Sequence, residues 1–531
     1  MTSNFARAMI DPVETWNGAT SLATPDINSV CDKRLTLFFK SVRGLNIPRL
    51  YNYLRESAKE SVIDTFVLVF HLRDCRGGKG ERELGRKAFI WLFINYPNEF
   101  KLVLSLIPEY GRWDDLLEFW PSVLNLTDID YVRKNWDSNI KNTQQLRHLC
   151  SLQIDTVNLV SRQLINDRAA MEAGNPVSIC AKWVPTEKDS YDRKFNTLQT
   201  ITKKMNISSR KYRKEYTTPL RSYINIVEKF MCQNMWKNIN FSKVPSCAMK
   251  KLKKAFETHV PEEFTSWKIQ LVKGETEVKG KQLFPHELIY EIRSKSFSDD
   301  VCEEQWKVLE KEIEKIGTLS EAICVCDVSA SMMTWTSSKS ESFAPIDVSI
   351  GLSLIIANAV KGLFHNHVIT FHSEPSFHTI TPGSLIDKYK NIKSIQWGGS
   401  TNLQKTFDLI LNQAKKHNLQ NEDMPKKIFI FSDMQFDETK YYGNTNFQEI
   451  ELKYNKSGYK RPQIIFWNLN GSTNDFPISV DDNNTTLLSG FSPSIIKYIL
   501  TKKEFTPYSV MIDTIYDNRY KPVRDAISLQ K

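Results

Sequence analysis

The chain of 531 residues is long enough for two to four domains, and its 41% hydrophobic and 11% aromatic content excludes a largely disordered protein. Its net charge of +10 is uneven, because residues 1–317 carry 49 basic and 40 acidic residues, whereas residues 318–531 carry 22 and 21. Within the first part, residues 201–254 hold 14 basic residues and two acidic ones. A polyanionic partner is therefore expected to bind the first half.

Residues 1–317 are predicted to form a domain of HEAT-like helical repeats. Apolar residues recur there at three- and four-residue spacing, and short breakers such as Arg76-Gly77-Gly78 separate the segments. Many medium-length helices with short connections are typical of solenoid packing. The helical segments are expected at 61–72, 81–95, 113–119, 146–162 and 219–236. Near 265–285 the pattern instead fits a small β insertion, a hairpin around Lys273-Gly274.

A dense group of basic residues in the first half is a candidate RNA-binding surface. Lysine and arginine contact phosphate, and the interleaved Tyr212, Tyr216, Tyr223 and Trp236 offer faces on which unpaired bases stack. A solvated helix face, paired with acidic residues elsewhere, explains the same charges, and the residues alone leave both readings open. The basic candidates are Lys203, Lys204, Arg210, Lys211, Arg213, Lys214, Arg221, Lys250, Lys251, Lys253 and Lys254.

Two other segments of the first half resemble catalytic patterns but favour structural roles. Gly77-Gly78-Lys79-Gly80 lacks the spacing of a phosphate-binding loop and follows a predicted helix rather than a strand, so we interpret it as a turn between helices. Asp114-Asp115 lies at a predicted helix start, where capping and ion pairing are expected of carboxylates.

Residues 318–531 are predicted to form a doubly wound α/β domain. Apolar runs at 322–326, 367–371, 427–431 and 463–467 alternate with helical patterns at 348–364, 403–416 and 493–500. In such sheets, ligands bind at the carboxyl ends of the strands.

Five oxygen-bearing residues are expected at these strand ends and form a candidate Mg²⁺ site. The first strand leads into Asp327-Val328-Ser329-Ala330-Ser331, the loop before the 403–416 helix carries Thr401, and Asp433 follows the strand 427–431. Carboxylate and hydroxyl oxygens suit Mg²⁺ or another divalent cation. Loops that use these groups only for internal hydrogen bonds are the alternative. Cys324 and Cys326 have no second half with which to form a zinc site.

The order and position of Asp327, Ser329, Ser331, Thr401 and Asp433 resemble the metal-ion-dependent adhesion site of von Willebrand factor A domains. The resemblance implies that the serines and the threonine ligate Mg²⁺, with the aspartates bound directly or through water. One coordination position would then receive an acidic group of a partner. Ala330 stands where glycine is frequent in that family.

The whole chain resembles the Ro autoantigen (TROVE) architecture, in which helical repeats bind RNA and an A domain closes the ring. It is more similar to a Ro-like family of plants, fungi, bacteria and large DNA viruses that has no settled activity. The resemblance covers roughly residues 30–505. The segments that carry it are 73–82, 110–116, 181–185, 244–246, 432–436, 466–469 and 489–492.

We therefore expect a non-enzymatic RNA-binding or ribonucleoprotein scaffold with a Mg²⁺-dependent partner site on the A domain. The alternative is a protein–protein adaptor that captures an acidic side chain through the metal, without nucleic acid. Catalysis is not expected, since Ser329 replaces the second carboxylate of aspartyl phosphatases and no histidine is paired with a nucleophile. The chain shows no signal peptide or membrane span, which predicts a cytoplasmic, intracellular location and is compatible with packaging in a virus particle.

Overall fold

A computed structural model of the protein mixes α-helices with a six-stranded, mostly parallel sheet, and the first half of the chain is helical. None of the described helices is both long enough and apolar enough to cross a membrane. The structure describes residues 32–120, 143–189, 192–193, 196–295, 299–316, 319–333, 343–371, 375–394, 403–434, 446–471, 485–496 and 506–528.

Four of the described helices in the first half begin after a side chain that caps the first turn, namely Asp32, Asn46, Ser61 or Ser208. Ser61 accepts a hydrogen bond from the Asp64 N–H at 3.2 Å and begins the helix Val62–Arg73. The α-helices are Lys33–Lys40, Ile47–Glu60, Val62–Arg73, Arg82–Asn95, Pro97–Val103, Ile107–Tyr110, Thr143–Glu172, Cys180–Trp183, Thr197–Met205, Ser209–Tyr212, Thr218–Tyr223, Val227–Cys232, Ser246–His259, Pro261–Val272, Pro285–Lys295 and Asp300–Ile316. Shorter 3₁₀ turns are Leu104–Leu106, Trp113–Phe119, Trp236–Asn238 and Phe241–Lys243, and Arg213–Thr217 is a π turn.

The predicted β hairpin near 265–285 is wrong, because Pro261–Val272 is an α-helix and residues 273–284 contain no strand. Phe264, Trp267 and Leu271 lie three and four residues apart, and all three are buried in one apolar cluster with Phe241. The helical period therefore prevails over the short alternating pattern that suggested strands.

The C-terminal helices return to the core of the first half. Met511 and Ile515 of Pro507–Tyr516 and Val523 of Lys521–Ser528 are fully buried among apolar residues of the early helices, such as Phe70. The predicted domain boundary between residues 317 and 318 remains a prediction, but the core of the first half is completed by residues that follow the sheet.

The part of the second half that the structure describes contains eight strands. In chain order they are β1 Leu319–Ser320, β2 Ala322–Asp327, β3 Val360–Lys361, β4 His367–Phe371, β5 Ser376–Thr379, β6 Lys427–Ser432, β7 Gln463–Asn468 and β8 Thr485–Ser489. The main sheet has the order β5-β4-β2-β6-β7-β8 and is parallel except where β5 pairs with β4, while β1 and β3 form a separate parallel pair. Strands β2, β4 and β8 are buried along their whole length, as expected for a sheet covered on both faces.

Helices connect these strands, and the first of them packs on helices of the first half. Arg293 of Pro285–Lys295 forms a bidentate ion pair with buried Asp347, at 2.7 and 2.8 Å, near the start of Pro345–Ala359. The remaining α-helices are Leu385–Lys393, Leu403–Lys416, Asn446–Lys456, Pro507–Tyr516 and Lys521–Ser528. The 3₁₀ turns are Ala330–Met333, Gly362–Phe364, Asn421–Asp423, Pro493–Ile496 and Asn518–Tyr520.

Lys79 joins the two halves of the chain. Its buried ammonium donates to the carbonyl oxygens of Phe38 and Ser41, the latter at 2.9 Å, and to Ser489 Oγ at the end of β8, at 2.6 Å. Burial lowers the pKa of Lys79 to about 7. The glycine-rich segment therefore does form a turn between two helices, and its lysine is enclosed by backbone carbonyls.

Candidate metal centre and nucleic-acid interface

The sheet order places the predicted metal residues at its switch point. The parallel strands run β4-β2-β6-β7-β8, so the chain moves outward from β2 to β4 and then crosses back to β6 on the other side of β2. Crevices form at the carboxyl ends of strands where the order reverses in this way. Asp327 ends β2 and Asp433 directly follows β6, so both residues lie at this crevice.

Asp327 is the best-defined member of the site. Its side chain is fully buried, Oδ1 accepts the Ser329 N–H at 2.9 Å, and Oδ2 accepts the Ser432 hydroxyl at 2.5 Å. Burial raises the pKa of Asp327 to about 7, with a further contribution from the neighbouring Asp433 carboxylate. Two carboxylates that repel one another in a buried crevice are an arrangement that a divalent cation would stabilise.

The hydroxyls of Ser329 and Ser331 belong to the loop that follows Asp327. Ser329 Oγ and Ser331 Oγ are 3.1 Å apart and share a hydrogen bond, and Ser331 lies in the 3₁₀ turn Ala330–Met333. Thr401 lies outside the described residues. The structure thus brings Asp327, Ser329, Ser331 and Asp433 to one edge of the sheet.

These residues fit a hard cation through their donor set, because carboxylate and hydroxyl oxygens are the ligands that Mg²⁺ accepts. Among the residues described by the structure, no three His, Cys, Asp or Glu side chains converge as metal ligands, and this site contributes two such carboxylates, Asp327 and Asp433. Cys324 and Cys326 are buried free thiols, and burial raises the pKa of both, which disfavours the thiolate that zinc requires.

Ser432 is a site residue for which the sequence suggested no role. It ends β6, whose register continues directly opposite Asp327, and it accepts the Met434 N–H at 3.1 Å while donating to Asp327. Its hydroxyl therefore holds both the carboxylate and the turn that carries Asp433. The sequence signal that could have indicated this role is a hydroxyl side chain at the end of one strand, beside the strand that carries a candidate ligand.

The eleven predicted basic residues do not form one surface. Three have structural partners: buried Lys253 binds Glu291 and Asp299, Lys250 lies 3.4 Å from Glu287, and Arg221 donates to the carbonyls of Ala181 and Val184 at 2.7 and 2.9 Å. The side chains that reach solvent are Lys203, Lys204, Arg210, Lys211, Arg213, Lys214, Lys251 and Lys254.

The exposed basic residues belong to two regions. Those at 203–214 lie on helices whose apolar faces, including Ile201 and Tyr212, join the main core of the first half. Lys251 and Lys254 lie on Ser246–His259, which packs in a separate cluster with Trp236 and Phe264. The segment 203–214 therefore carries the denser group of exposed basic side chains. Within it, the Lys211 ammonium lies 3.9 Å from the Glu215 carboxylate.

Most of the aromatic side chains interleaved with these basic residues are buried or pack on other side chains of the fold. Tyr212 and Trp236 are buried, and Trp236 stacks on His259 with ring centroids 4.0 Å apart. Tyr216 lies under the Arg168 guanidinium, 5.1 Å away. Tyr223 is 43% exposed, and its hydroxyl donates to the Asn175 carbonyl. Tyr223 is thus the member of this set best placed for stacking on a base.

The pair Asp114-Asp115 is engaged by arginines. Buried Asp115 accepts the Arg112 N–H at 2.9 Å, which caps Trp113–Phe119, and forms ion pairs with Arg73 at 2.8 Å and Arg86 at 2.6 Å. These arginines hold the pKa of Asp115 below its usual value even though burial acts in the opposite direction. The pair therefore acts in capping and ion pairing.

Two domains and one relative are similar to parts of this chain. Residues 203–319 match a domain of unknown function (DUF2828), and residues 321–524 match a second domain of unknown function (DUF7788). The chain is 31% identical over 474 residues to Uncharacterized protein L728 of Acanthamoeba polyphaga mimivirus, and the matched region covers 86% of this chain and 80% of that protein. The chain therefore belongs to the family of uncharacterised proteins that this mimivirus protein represents.

Proposed function

We propose that the protein is a non-enzymatic RNA-binding scaffold whose helical half contacts RNA and whose sheet-bearing half binds a partner through a divalent cation. The observation that carries the proposal is the exposed basic surface at 203–214. This surface lies in the half of the chain whose net charge is +9, whereas the net charge of the other half is +1. The described cysteines are all free thiols, which favours a cytoplasmic location.

The finer fold assignment is part of the same proposal. The helical half is proposed to be HEAT-like and Ro-like, and the other half to be a von Willebrand factor A domain. The switch point between β2 and β6, with Asp327 and Asp433 at the strand ends, supports the second assignment. Mg²⁺ would be held by Asp327, Ser329, Ser331 and Asp433, and it would offer a coordination position to an acidic side chain of a partner.

RNA binding is expected to depend steeply on salt. Filter binding of a mixed-sequence single-stranded RNA should give a negative slope of log K against log salt, about 0.7 for each phosphate contact. Replacing exposed Lys203, Lys204 and Lys214 by glutamine should make that slope shallower by about 2.

The matched control carries Lys390→Gln, Lys393→Gln and Lys415→Gln, three exposed lysines on helices of the sheet-bearing half. It has the same change in net charge and should leave the slope unchanged. No affinity for RNA at low salt in the wild-type protein would overturn the nucleic-acid part of the proposal.

Mg²⁺ is expected to stabilise the folded protein. At a Mg²⁺ concentration about 100 times Kd, the free energy of unfolding should rise by about 2.7 kcal/mol, and urea unfolding in MgCl₂ against NaCl of equal ionic strength measures this rise. Asp327→Asn and Asp433→Asn keep the side-chain shape and should abolish the rise. Exposed Asp525→Asn should retain it in full. An undiminished rise in Asp327→Asn would refute the metal site.

A protein–protein adaptor is the second candidate, and two exposed isoleucines on one helix favour it. Ile154 and Ile165 of Thr143–Glu172 are 52% and 48% exposed and lie eleven residues apart, about three helical turns, on one face. Binding of a purified partner that withstands nuclease but is lost with EDTA and in Asp327→Ala would favour the adaptor. Binding that survives EDTA would exclude the metal route.

A further inference from the structure

Four arginines gather around three carboxylates at the start of the helix Arg82–Asn95. Asp114 alone faces Arg82 at 3.1 Å, Arg86 at 2.8 Å and Arg112 at 3.2 Å. The arginines are Arg73, Arg82, Arg86 and Arg112, and the carboxylates are Asp114, Asp115 and Glu118. One carboxylate shared among three guanidinium groups leaves positive charge uncompensated.

Arg112 is held in place by an aromatic platform. Its guanidinium lies 4.5 Å from the centre of the Trp183 ring, and Arg221 fixes the backbone around Trp183 by donating to the carbonyls of Ala181 and Val184. Stacking of this kind orients the planar guanidinium, whose Nε and Nη2 atoms face Asp114 at 3.2 and 3.3 Å. The Arg112 side chain remains 30% exposed.

A second wall carrying basic residues meets the first at Gly80. Any Cβ at Gly80 would lie 2.7 Å from the Phe284 ring, so the turn 73–82 packs directly on this residue. The Phe284 N–H donates to Glu287 at 2.9 Å, and Glu287 in turn lies 3.4 Å from Lys250. The helix Ser246–His259, which carries Lys250 and Lys251, is thereby placed beside the arginine cluster.

Cys247 lies near the start of the helix Ser246–His259, on the second wall. The residue is exposed, yet burial by surrounding atoms raises the pKa of its thiol, while Lys250, Lys251 and Arg112 act to lower it. The Cys247 thiol also lies 3.9 Å from the Gln282 carbonyl oxygen, near Phe284 in the chain, and we call the surface between the arginine cluster and the helix Ser246–His259 the recess. Six cations line or support this recess, namely Arg73, Arg82, Arg86, Arg112, Lys250 and Lys251, against the four carboxylates of Asp114, Asp115, Glu118 and Glu287.

We propose that this recess binds the phosphate groups of single-stranded RNA, with Arg82, Arg112 and Lys251 as the contacting cations. The proposal rests on the RNA-binding function proposed above and adds a site separate from the basic surface at 203–214. Guanidinium groups match the geometry of phosphate oxygens, and cations on two facing walls suit a chain of phosphates passing between them.

Arg82→Gln with Lys251→Gln in the full chain tests the recess. Both side chains are exposed, Arg82 at 54%, so folding should be preserved. The double variant should make the salt slope of RNA binding shallower by about 1.4, and Lys393→Gln with Lys415→Gln should leave it unchanged. If wild-type protein binds RNA steeply and the double variant is indistinguishable from it, the recess is excluded while RNA binding stands. If wild-type protein does not bind RNA, the proposed function itself fails.

Alkylation of Cys247 by iodoacetamide supplies a local readout, with exposed Cys232 as the internal reference in the same digest. Bound RNA should slow the reaction of Cys247 severalfold and leave Cys232 unchanged, and Arg112→Gln should weaken this protection. Inorganic phosphate at equal phosphate concentration serves as the second probe. Protection by phosphate equal to that by RNA would show a small-anion site and overturn the RNA assignment, as would equal protection of both cysteines.

Discussion

A fragment of residues 1–317 is expected not to fold into a cooperative domain, although it contains every helix of the first half. The core of that half also includes Met511, Ile515, Tyr520, Val523 and Ile527, none more than 5% exposed. Full burial of five such side chains contributes about 8–15 kcal/mol, comparable to the whole stability of a typical domain, about 5–15 kcal/mol. The fragment should therefore show no sharp urea transition and should bind a hydrophobic dye.

The same contact can be tested by point substitution in the full chain. Ile515→Ala should lower the free energy of unfolding by about 2–5 kcal/mol, because it empties a fully buried position. Tyr516, at the adjacent position, is 62% exposed. Tyr516→Ala should therefore change the free energy of unfolding by no more than about 0.5 kcal/mol. A fragment 1–317 that unfolds cooperatively in urea would show instead that the C-terminal helices are dispensable to the core.

The strand positions could be predicted from the sequence because each central strand is a short apolar run buried on both faces. The prediction 367–371 coincides with β4, and those for β2, β6 and β7 end one residue early. Two strands of the main sheet, β5 and β8, were missed, and so were the two-residue strands β1 and β3. β5 is a half-buried edge strand with alternating polar residues, and β8 begins with two threonines, so neither has the continuous apolar pattern of the others.

From the sequence, the candidate site could be predicted only for residues that directly follow predicted strands. Asp327 and Asp433 follow predicted strands, and parallel strands place their carboxyl ends at one edge of the sheet. The role of Ser432 depends on the register between β2 and β6, which the sequence does not contain. The meeting of Arg112 with Trp183 likewise joins residues 71 positions apart, and no local pattern connects them.

The density of basic residues along the sequence does not separate the side chains that face solvent from those with partners inside the fold. Lys253 and Arg221 stand in a basic stretch of sequence, yet one is buried between two carboxylates and the other donates to backbone carbonyls. Long basic side chains on a helix reach across to partners distant in sequence, and only the tertiary structure separates those from the side chains that face solvent.

Asp74→Ala is expected to lower the free energy of unfolding by about 3 kcal/mol, because it removes the centre of the contact between the first half and the C-terminus. The buried carboxylate accepts the N–H groups of Arg76 and Gly77 at 2.9 and 3.2 Å, the Tyr520 hydroxyl at 3.0 Å, and two bonds from the Arg519 guanidinium, one of them at 2.6 Å. Its loss leaves Arg519, which is 29% exposed, without its carboxylate. The midpoint of urea unfolding measures the change.

The matched control is Asp525→Ala on the neighbouring helix Lys521–Ser528. Asp525 pairs with Lys521, and both side chains are more than half exposed, so this change should cost no more than about 0.5 kcal/mol. Amide hydrogen exchange distinguishes a local from a global effect: Asp74→Ala should speed exchange first in residues 506–528, because these helices lose their anchor while the sheet retains its own contacts. Equal losses in both variants, or unchanged exchange in 506–528, would show that Asp74 does not hold the C-terminal helices in place.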